Sequence, residues 1–375
     1  MGKITWFPGH MAKAFNALNR VIKGVDMVLE VRDARIPLSS SNPNLEGLLK
    51  GKRHIVVLNK VDLISNSSRQ AALKRLQQQG LQALPASSSD PRSVKQLLRT
   101  AVGWIQRERA QSELSVMLLV GLPNSGKSSL INGLKMAARA TGVLDAQQAY
   151  QKRAAVGPTP GLTRQVSGFQ VAAQPPIYVL DTPGVMMPAI PSDEVGFRLA
   201  LAGAIKDSVV GEEAIVRFLL SQISSNPRLA AALQAAQQPG YKPPGSNSSS
   251  SRSGYNVAAR KRQEAKAKEL RSALAAAASV GSASLSYGYS AGGLAHASAA
   301  LGLQESLQHS LQESAQWHPG DDDAYDASDA QLDELLQQLG VAGQLNPSAQ
   351  TGACIRLLQA FRAGELGQYI LDDVE

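Results

Sequence analysis

Gly121-Leu122-Pro123-Asn124-Ser125-Gly126-Lys127-Ser128-Ser129 decides how the rest of the chain is read. It fits G-x-x-x-x-G-K-[ST], the phosphate-binding P-loop. Val116-Met117-Leu118-Leu119-Val120 leads in and Leu130-Ile131-Asn132-Gly133-Leu134 leads out, the strand–loop–helix setting that the motif requires. Glycines let backbone N–H groups wrap a phosphate, and the helix N-terminus adds its positive dipole end. Asn124, Ser125, Gly126, Lys127, Ser128 and Ser129 are therefore expected to cradle phosphates. Lys127 is expected to bridge the β- and γ-phosphate oxygens, a catalytic role, and Ser128 to ligate magnesium.

Upstream, an apolar run predicts a buried strand over 25–31, ending in Arg32-Asp33-Ala34-Arg35-Ile36-Pro37. A second run, His54-Ile55-Val56-Val57-Leu58, has the β-branched character of a parallel strand. It delivers Asn59-Lys60-Val61-Asp62, an N-K-x-D tetrapeptide that reads guanine. The Asp62 carboxylate can accept from both N1–H and the 2-amino group, a pairing that adenine does not offer. Asn59 would meet the O6/N7 edge and Lys60 would lie against the ring. A helix over 68–79 and a short strand over 82–85 follow. Backbone N–H groups of Ser87 and Ser88 are placed to back the ring, with a plain serine loop as the alternative. A helix over 93–107 returns the chain to the P-loop strand.

Downstream, 139–163 is a long Gly- and Pro-containing loop, of the kind that is usually functional or disordered. Thr163 sits where a switch threonine belongs, joining the magnesium shell when a γ-phosphate is present, and Thr159 competes for that role. Strands over 165–171 and 177–180 follow. The second ends in Asp181-Thr182-Pro183-Gly184, a D-x-x-G motif. Asp181 would hold magnesium directly or through water, and the Gly184 N–H would sense the γ-phosphate. In this chain N-K-x-D precedes the P-loop. One parallel sheet accommodates that order if the chain ends are moved, because the motifs sit on loops at one sheet edge.

At 375 residues the chain has room for two domains. Its net charge of +8 and pI near 9.5 favour a polyanionic partner, most plainly nucleic acid. Cys354 is the only cysteine, which excludes a disulfide framework and a cysteine metal cluster. No apolar run reaches membrane-spanning length, and no cleavable secretory signal is visible. The basic start, 1–24, reads equally as a surface-binding helix or an ordinary first helix. Helical patterns over 192–223 and 353–361, with a strand-like 369–371, predict a smaller helical C-terminal domain. Between them, 236–345 is rich in Ala, Ser, Gln and Gly and predicts a disordered insertion. It contains a basic helical patch, Arg260 to Arg271, that would bind RNA or act as a solvated linker. Its acidic run, Asp321-Asp322-Asp323, reads as a solvated linker. The domains so read are 25–190, then 191–235 continued by 346–375.

The motifs W-F-P-G-H-M-A-K-A, D-A-R-I-P, N-K-V-D, G-L-P-N-S-G-K-S-S, P-G-L-T and L-D-T-P-G-V together resemble the YlqF/RbgA family of circularly permuted GTPases. The resemblance covers 1 to about 225 and 353–374, and 199–213 looks most like its organellar branch. It implies an α/β fold with a circularly permuted P-loop GTPase domain. It implies hydrolysis of GTP to GDP with Mg²⁺, with an RNA-binding assembly scaffold of weak or vestigial GTPase activity as the alternative, and work on the large ribosomal subunit and its rRNA rather than DNA. A monomer is expected, in the mitochondrion, with plastid or cytoplasm as alternatives. Peripheral membrane association is a further implication of that branch, although no anchor is visible. The family motif begins almost at Met1, leaving little room for a removable presequence. Val185 stands where many GTPases place a water-positioning glutamine. Slow intrinsic hydrolysis and activation by a partner are therefore expected. His10 would orient the water instead, or else fix the N-terminal turn or contact rRNA. Asn124 resembles an asparagine that admits K⁺ beside the phosphates, in place of an arginine finger.

Overall fold

A computed structural model describes residues 18–108, 114–143, 167–174, 176–182, 190–238, 241–243, 264–275 and 347–374. In chain order, β1 (Met27–Asp33) is followed by α1 (Pro43–Leu49), β2 (Arg53–Asn59), α2 (Asn66–Gln78), β3 (Ala83–Pro85) and α3 (Pro91–Glu108). Then come β4 (Ser115–Val120), α4 (Lys127–Ala140), β5 (Ser167–Ala173) and β6 (Pro176–Asp181). The strands form one sheet in the order β3-β2-β1-β4-β6-β5, parallel throughout except for the antiparallel β5–β6 pair. This is the mixed α/β, P-loop architecture that the motifs predict.

β2 and β4 carry near-continuous apolar runs because both faces of the sheet are covered there. Alternate residues point to opposite sides. Met27, Leu29, Val31, Ile55, Val57, Met117 and Leu119 face α3 and α4, whose Val94, Leu97, Leu98, Ala101, Leu130, Ile131 and Leu134 complete that core. On the other face, Val28, Leu118 and Val120 cluster with Leu18, Ile22, Val25, Leu45 and Leu49. Val56 and Leu58 pack there with Ile64, Ala72, Leu76 and Val374. Helix starts follow local chemistry. α1 begins at Pro43 behind Asn42, whose side chain accepts the Asn44 N–H at 3.1 Å. α2 begins two residues before the predicted 68, because Ser65 Oγ accepts the Ser68 N–H at 3.1 Å and caps it.

After β6 the helical pattern of 192–223 resolves into α5 (Asp193–Leu201), α6 (Asp207–Val210) and α7 (Glu212–Ser225). The chain turns at Gly203, whose φ of 79° ends the α5 helix. By contacts the chain divides into two units. One takes in Ile4–Val210 with Tyr369–Glu375, and the other Gly211–Gln368. The boundary therefore falls after α6 rather than at 190, and the C-terminal tail returns to the sheet unit. Tail residues 369–371 form no strand. They are held by the Leu371 N–H on the Arg35 carbonyl at 2.7 Å. Asp372 Oδ2 accepts the N–H groups of Leu38 and Ser39 at 2.6 and 2.8 Å, while Oδ1 accepts Ser39 Oγ and Arg198 Nη1.

The second unit contains α7, α8 (Pro227–Gln237), α9 (264–275) and α10 (Pro347–Arg362). Phe218, Leu219, Leu357, Leu358 and Phe361 are among its buried residues. α9 corrects the prediction of an unstructured insertion over its own length. Ala267, Arg271 and Leu274, at i, i+4 and i+7, are buried on one face. Arg271 donates to the Glu365 carbonyl at 2.6 Å and lies 5.3 Å over the Tyr241 ring, so it is a packing residue rather than an RNA ligand. Arg260 and the acidic run lie outside the described residues. No helix among the described residues is long and apolar enough to cross a membrane.

Two outcomes check this packing. Asp372→Ala strips the acceptor from two backbone N–H groups and should lower the unfolding free energy by about 3 kcal/mol, read by urea denaturation. Burial pushes the Cys354 thiol up to about 11. At pH 8 a thiol reagent should leave this single cysteine unmodified in the native protein and label it promptly in denaturant.

Candidate nucleotide-binding site

Because β1, β2, β3, β4 and β6 are parallel, their carboxyl ends share one edge, and each ends in a polar loop. β4 delivers the P-loop beside β1, where the strand order reverses, and open α/β sheets bind ligands in such a crevice. Gly121 (φ +148°) and Gly126 (φ +92°) both occupy conformations that favour glycine. A Cβ on Gly121 would enter the Val31 carbonyl, and one on Gly126 would enter the Asn59 carboxamide. Gly126 precedes α4, whose first turn holds Lys127, Ser128 and Ser129.

Asn59 is fully buried. Its Nδ2 donates to the Ser125 carbonyl at 2.9 Å and its Oδ1 accepts the Ser88 N–H at 3.1 Å. The carboxamide thus joins the P-loop to the loop after β3 rather than facing outward to a base edge. Lys60, expected against a ring, sends its ammonium to Asp33 Oδ2 at 2.8 Å and to the Asn124 carbonyl at 2.6 Å. It does so from a left-handed backbone, φ 62°. The Val61 N–H donates to the Ala86 carbonyl at 3.2 Å.

The serine loop works differently from its prediction. The Ser87 N–H is taken by Ser93 Oγ at 2.9 Å and the Ser88 N–H by Asn59, so neither is directed at a base. The hydroxyls act instead. Ser87 Oγ donates to Asp62 Oδ1 at 2.6 Å, and Ser89 Oγ approaches Oδ2 at 3.4 Å. They orient the half-buried Asp62 carboxylate.

Lys127 Nζ donates to the Gly121 and Leu122 carbonyls at 3.0 and 2.7 Å. Burial draws its ammonium down to about 8, partly offset by Asp181. Burial also pushes the Asp181 carboxyl up to about 6, against the pull of Lys127 and Lys135. Asp181 Oδ1 is buried and has no hydrogen-bond partner among the described residues. A cation beside it would satisfy that oxygen. No cluster of three His, Cys, Asp or Glu side chains among the described residues holds a metal by itself. A magnesium ion at Asp181 and Ser128 would therefore complete its shell with phosphate oxygens and water, as this ion prefers. Thr182 Oγ1 donates to the Leu119 carbonyl at 2.6 Å and fixes the β6 end against β4.

Residues without a role in the sequence reading complete the site. Asp33 is buried between Arg35 and Lys60. Burial opposes its charge, but those two cations outweigh it and hold the carboxyl well below its usual range. Arg35 Nη2 reaches the Ala202 carbonyl at 3.2 Å, and Asn124 Nδ2 reaches the Gly203 carbonyl at 2.6 Å. The turn after α5 is thus tied to both the β1 end and the P-loop. Asp33 and Arg35 were marked in the sequence by a buried strand ending in charges and by the D-A-R-I-P motif, neither of which assigns them a contact. His10, Thr159, Thr163, Gly184 and Val185 lie outside the described residues.

Residues 116–215 match the family model described as a 50S ribosome-binding GTPase. Ribosome biogenesis GTPase A of Bacillus pumilus is 33% identical over 230 residues, which cover 60% of this chain and 76% of that protein. The chain belongs to the YlqF/RbgA family. Mitochondrial ribosome-associated GTPase 1 of Mus musculus is 42% identical over 57% of this chain. Short integuments 2, mitochondrial, of Arabidopsis thaliana is 43% identical over 59% of it. The matches span 65% and 56% of those two relatives' own lengths.

The glycine geometry is testable with its own control. Gly142 (φ +76°) has nothing within 4 Å of an added Cβ, whereas Gly126 has the Asn59 amide. Gly142→Ala should cost only the left-handed strain, about 1–2 kcal/mol. Gly126→Ala should cost at least twice that in urea denaturation, because the Asn59 bridge must also move.

Proposed function

We propose that the chain is a GTP hydrolase acting as a nucleotide switch in assembly of the large ribosomal subunit, in the mitochondrion. The observation that carries this reading is the meeting, at one sheet edge, of a glycine cradle with Lys127 and a carboxylate, Asp62, oriented by two serine hydroxyls. Asp62 pairs with guanine N1–H and the 2-amino group, which selects GTP over ATP. The P-loop N–H groups and the α4 N-terminus bind the phosphates, and Lys127 exchanges a carbonyl contact for γ-phosphate oxygen. Ser128 and Asp181 hold magnesium, which neutralises phosphate charge when bound. Thr163 and Gly184 sense the γ-phosphate, and His10 orients the attacking water in place of Val185. Asn124 admits K⁺ beside the phosphates.

The ties from Asn124 to Gly203 and from Arg35 to Ala202 support a switch. Any rearrangement of the P-loop reaches the turn after α5 through one hydrogen bond. The names of the relatives support the ribosomal partner and the organelle, and the basic balance of 38 Lys and Arg against 30 Asp and Glu suits rRNA. A monomer that docks on the subunit, with peripheral membrane contact, completes the reading.

GTP turnover with and without purified mitochondrial large subunits tests it. The free protein should be slow, the subunit should stimulate it at least tenfold in K⁺ but not in Na⁺, and Lys127→Ala should lose at least a hundredfold of the stimulated rate. Turnover that ignores the subunit would end the ribosomal role, and equal affinity for ATP would end the guanine assignment.

A further inference from the structure

Helix α3 carries its charge on one side. Between Leu63 and Arg107 stand seven Lys or Arg and a single acid, Asp90. Four of the seven lie on α3: Arg92, Lys95, Arg99 and Arg107. At 100° per residue they share one face with Gln96, Gly103 and Gln106, opposite the buried Val94, Leu97, Leu98, Ala101 and Ile105. Arg92, Arg99 and Arg107 are exposed. Among the described residues none of the four cationic side chains takes part in an ion pair or hydrogen bond.

The two neighbouring acids are already engaged. Asp90 caps the helix, accepting the N–H groups of Arg92 and Ser93 at 3.0 and 3.3 Å. Glu108, at the other end, pairs with Arg53, whose guanidinium lies 5.4 Å over the Trp104 ring. Among the described residues, the outer face of α3 is therefore a row of cations without acidic partners, about 22 Å long at 1.5 Å per residue. Exposed like charges at i, i+3 and i+7 repel one another and lower helix stability slightly. A polyanion laid along the row relieves that repulsion and releases its own counterions.

We infer that the outer face of α3 is a docking surface for an RNA sugar–phosphate backbone, with Arg92, Lys95, Arg99 and Arg107 as phosphate contacts and Gln96 as a neutral donor. It deepens the proposed function by locating an RNA contact on the nucleotide-binding unit itself, and takes the ribosomal partner from that reading. An anionic membrane fits this face less well. A helix that lies on lipid buries an apolar face in it, and the apolar face of α3 is consumed by the core.

The test compares two charge-matched triple variants of the full chain. Arg92→Glu, Arg99→Glu and Arg107→Glu alter the row; Lys23→Glu, Lys50→Glu and Lys206→Glu alter exposed lysines elsewhere. Each is titrated against a fluorescent stem–loop RNA and purified mitochondrial large subunits, between about 50 and 200 mM salt. The α3 triple should lose at least tenfold in affinity for both, and its salt slope should fall by about 2 to 3 units, while the lysine triple stays within twofold of the parent. Equal losses in the two triples would reduce the effect to net charge and overturn the surface, as would no loss in either. Retained RNA binding with lost binding to phosphatidylserine vesicles would reassign the face to lipid and overturn the RNA proposal. Subunit-free GTP turnover, measured alongside, should be unchanged in both triples. A parent that binds RNA through α3 but fails to turn over GTP would refute the proposed hydrolase and leave this surface standing.

Discussion

The Asn59 carboxamide is the contact on which the site depends. It is fully buried, and its two ends hold the P-loop and the loop after β3 at fixed distance. A buried carboxamide satisfied at both ends is stiff, since breaking either bond strands a polar group without water. Gly126 is left-handed and lacks a Cβ because that amide occupies the space a side chain would take. The P-loop and the loop after β3 are consequently held together as one body.

A second layer of charge fixes the first. Asp33 sits between Arg35 and Lys60, and Lys60 passes the connection on to the Asn124 carbonyl. Burying one carboxylate with two cations is costly unless every donor finds an acceptor. Lys60 Nζ reaches the Asn124 carbonyl on the P-loop and Arg35 Nη2 the Ala202 carbonyl on the turn after α5, which makes the charge cluster a junction between strand ends. Asp181 is the counterexample. Its buried Oδ1 has no hydrogen-bond partner among the described residues, and its carboxyl is pushed up to about 6, which suits a cation ligand.

Much of the fold was legible because parallel strands buried on both faces, β2 and β4 above all, leave near-continuous apolar runs. Residues 54–58 and 116–120 needed no tertiary information to be read as strands. Locations of the site residues were legible for the same reason, since each motif follows such a run. Their contacts were less so. Asn59, Lys60, Ser87 and Ser88 were expected to face a base directly. The structure instead uses Asn59 and Lys60 as cross-ties and takes up both serine N–H groups internally, leaving the serine hydroxyls to orient Asp62. Spacing along a chain does not reveal which neighbour from another strand competes for a donor. Composition likewise marked 236–345 as unable to fold, yet α9 within it packs through alanines whose small faces score as apolar only beside a partner.

By itself the sequence determined the order of the motifs, the strands that carry them and the basic balance of the chain, because these depend on local periodicity and residue chemistry. Tertiary structure alone decided where the unit boundary falls, why the tail returns to the sheet and which polar atoms remain open. Those outcomes arise from pairings between residues far apart in the chain, such as Asp372 with Ser39 and Asn124 with Gly203. Such pairings leave no periodic trace, because a single buried hydrogen bond needs only one donor and one acceptor, each in the right place.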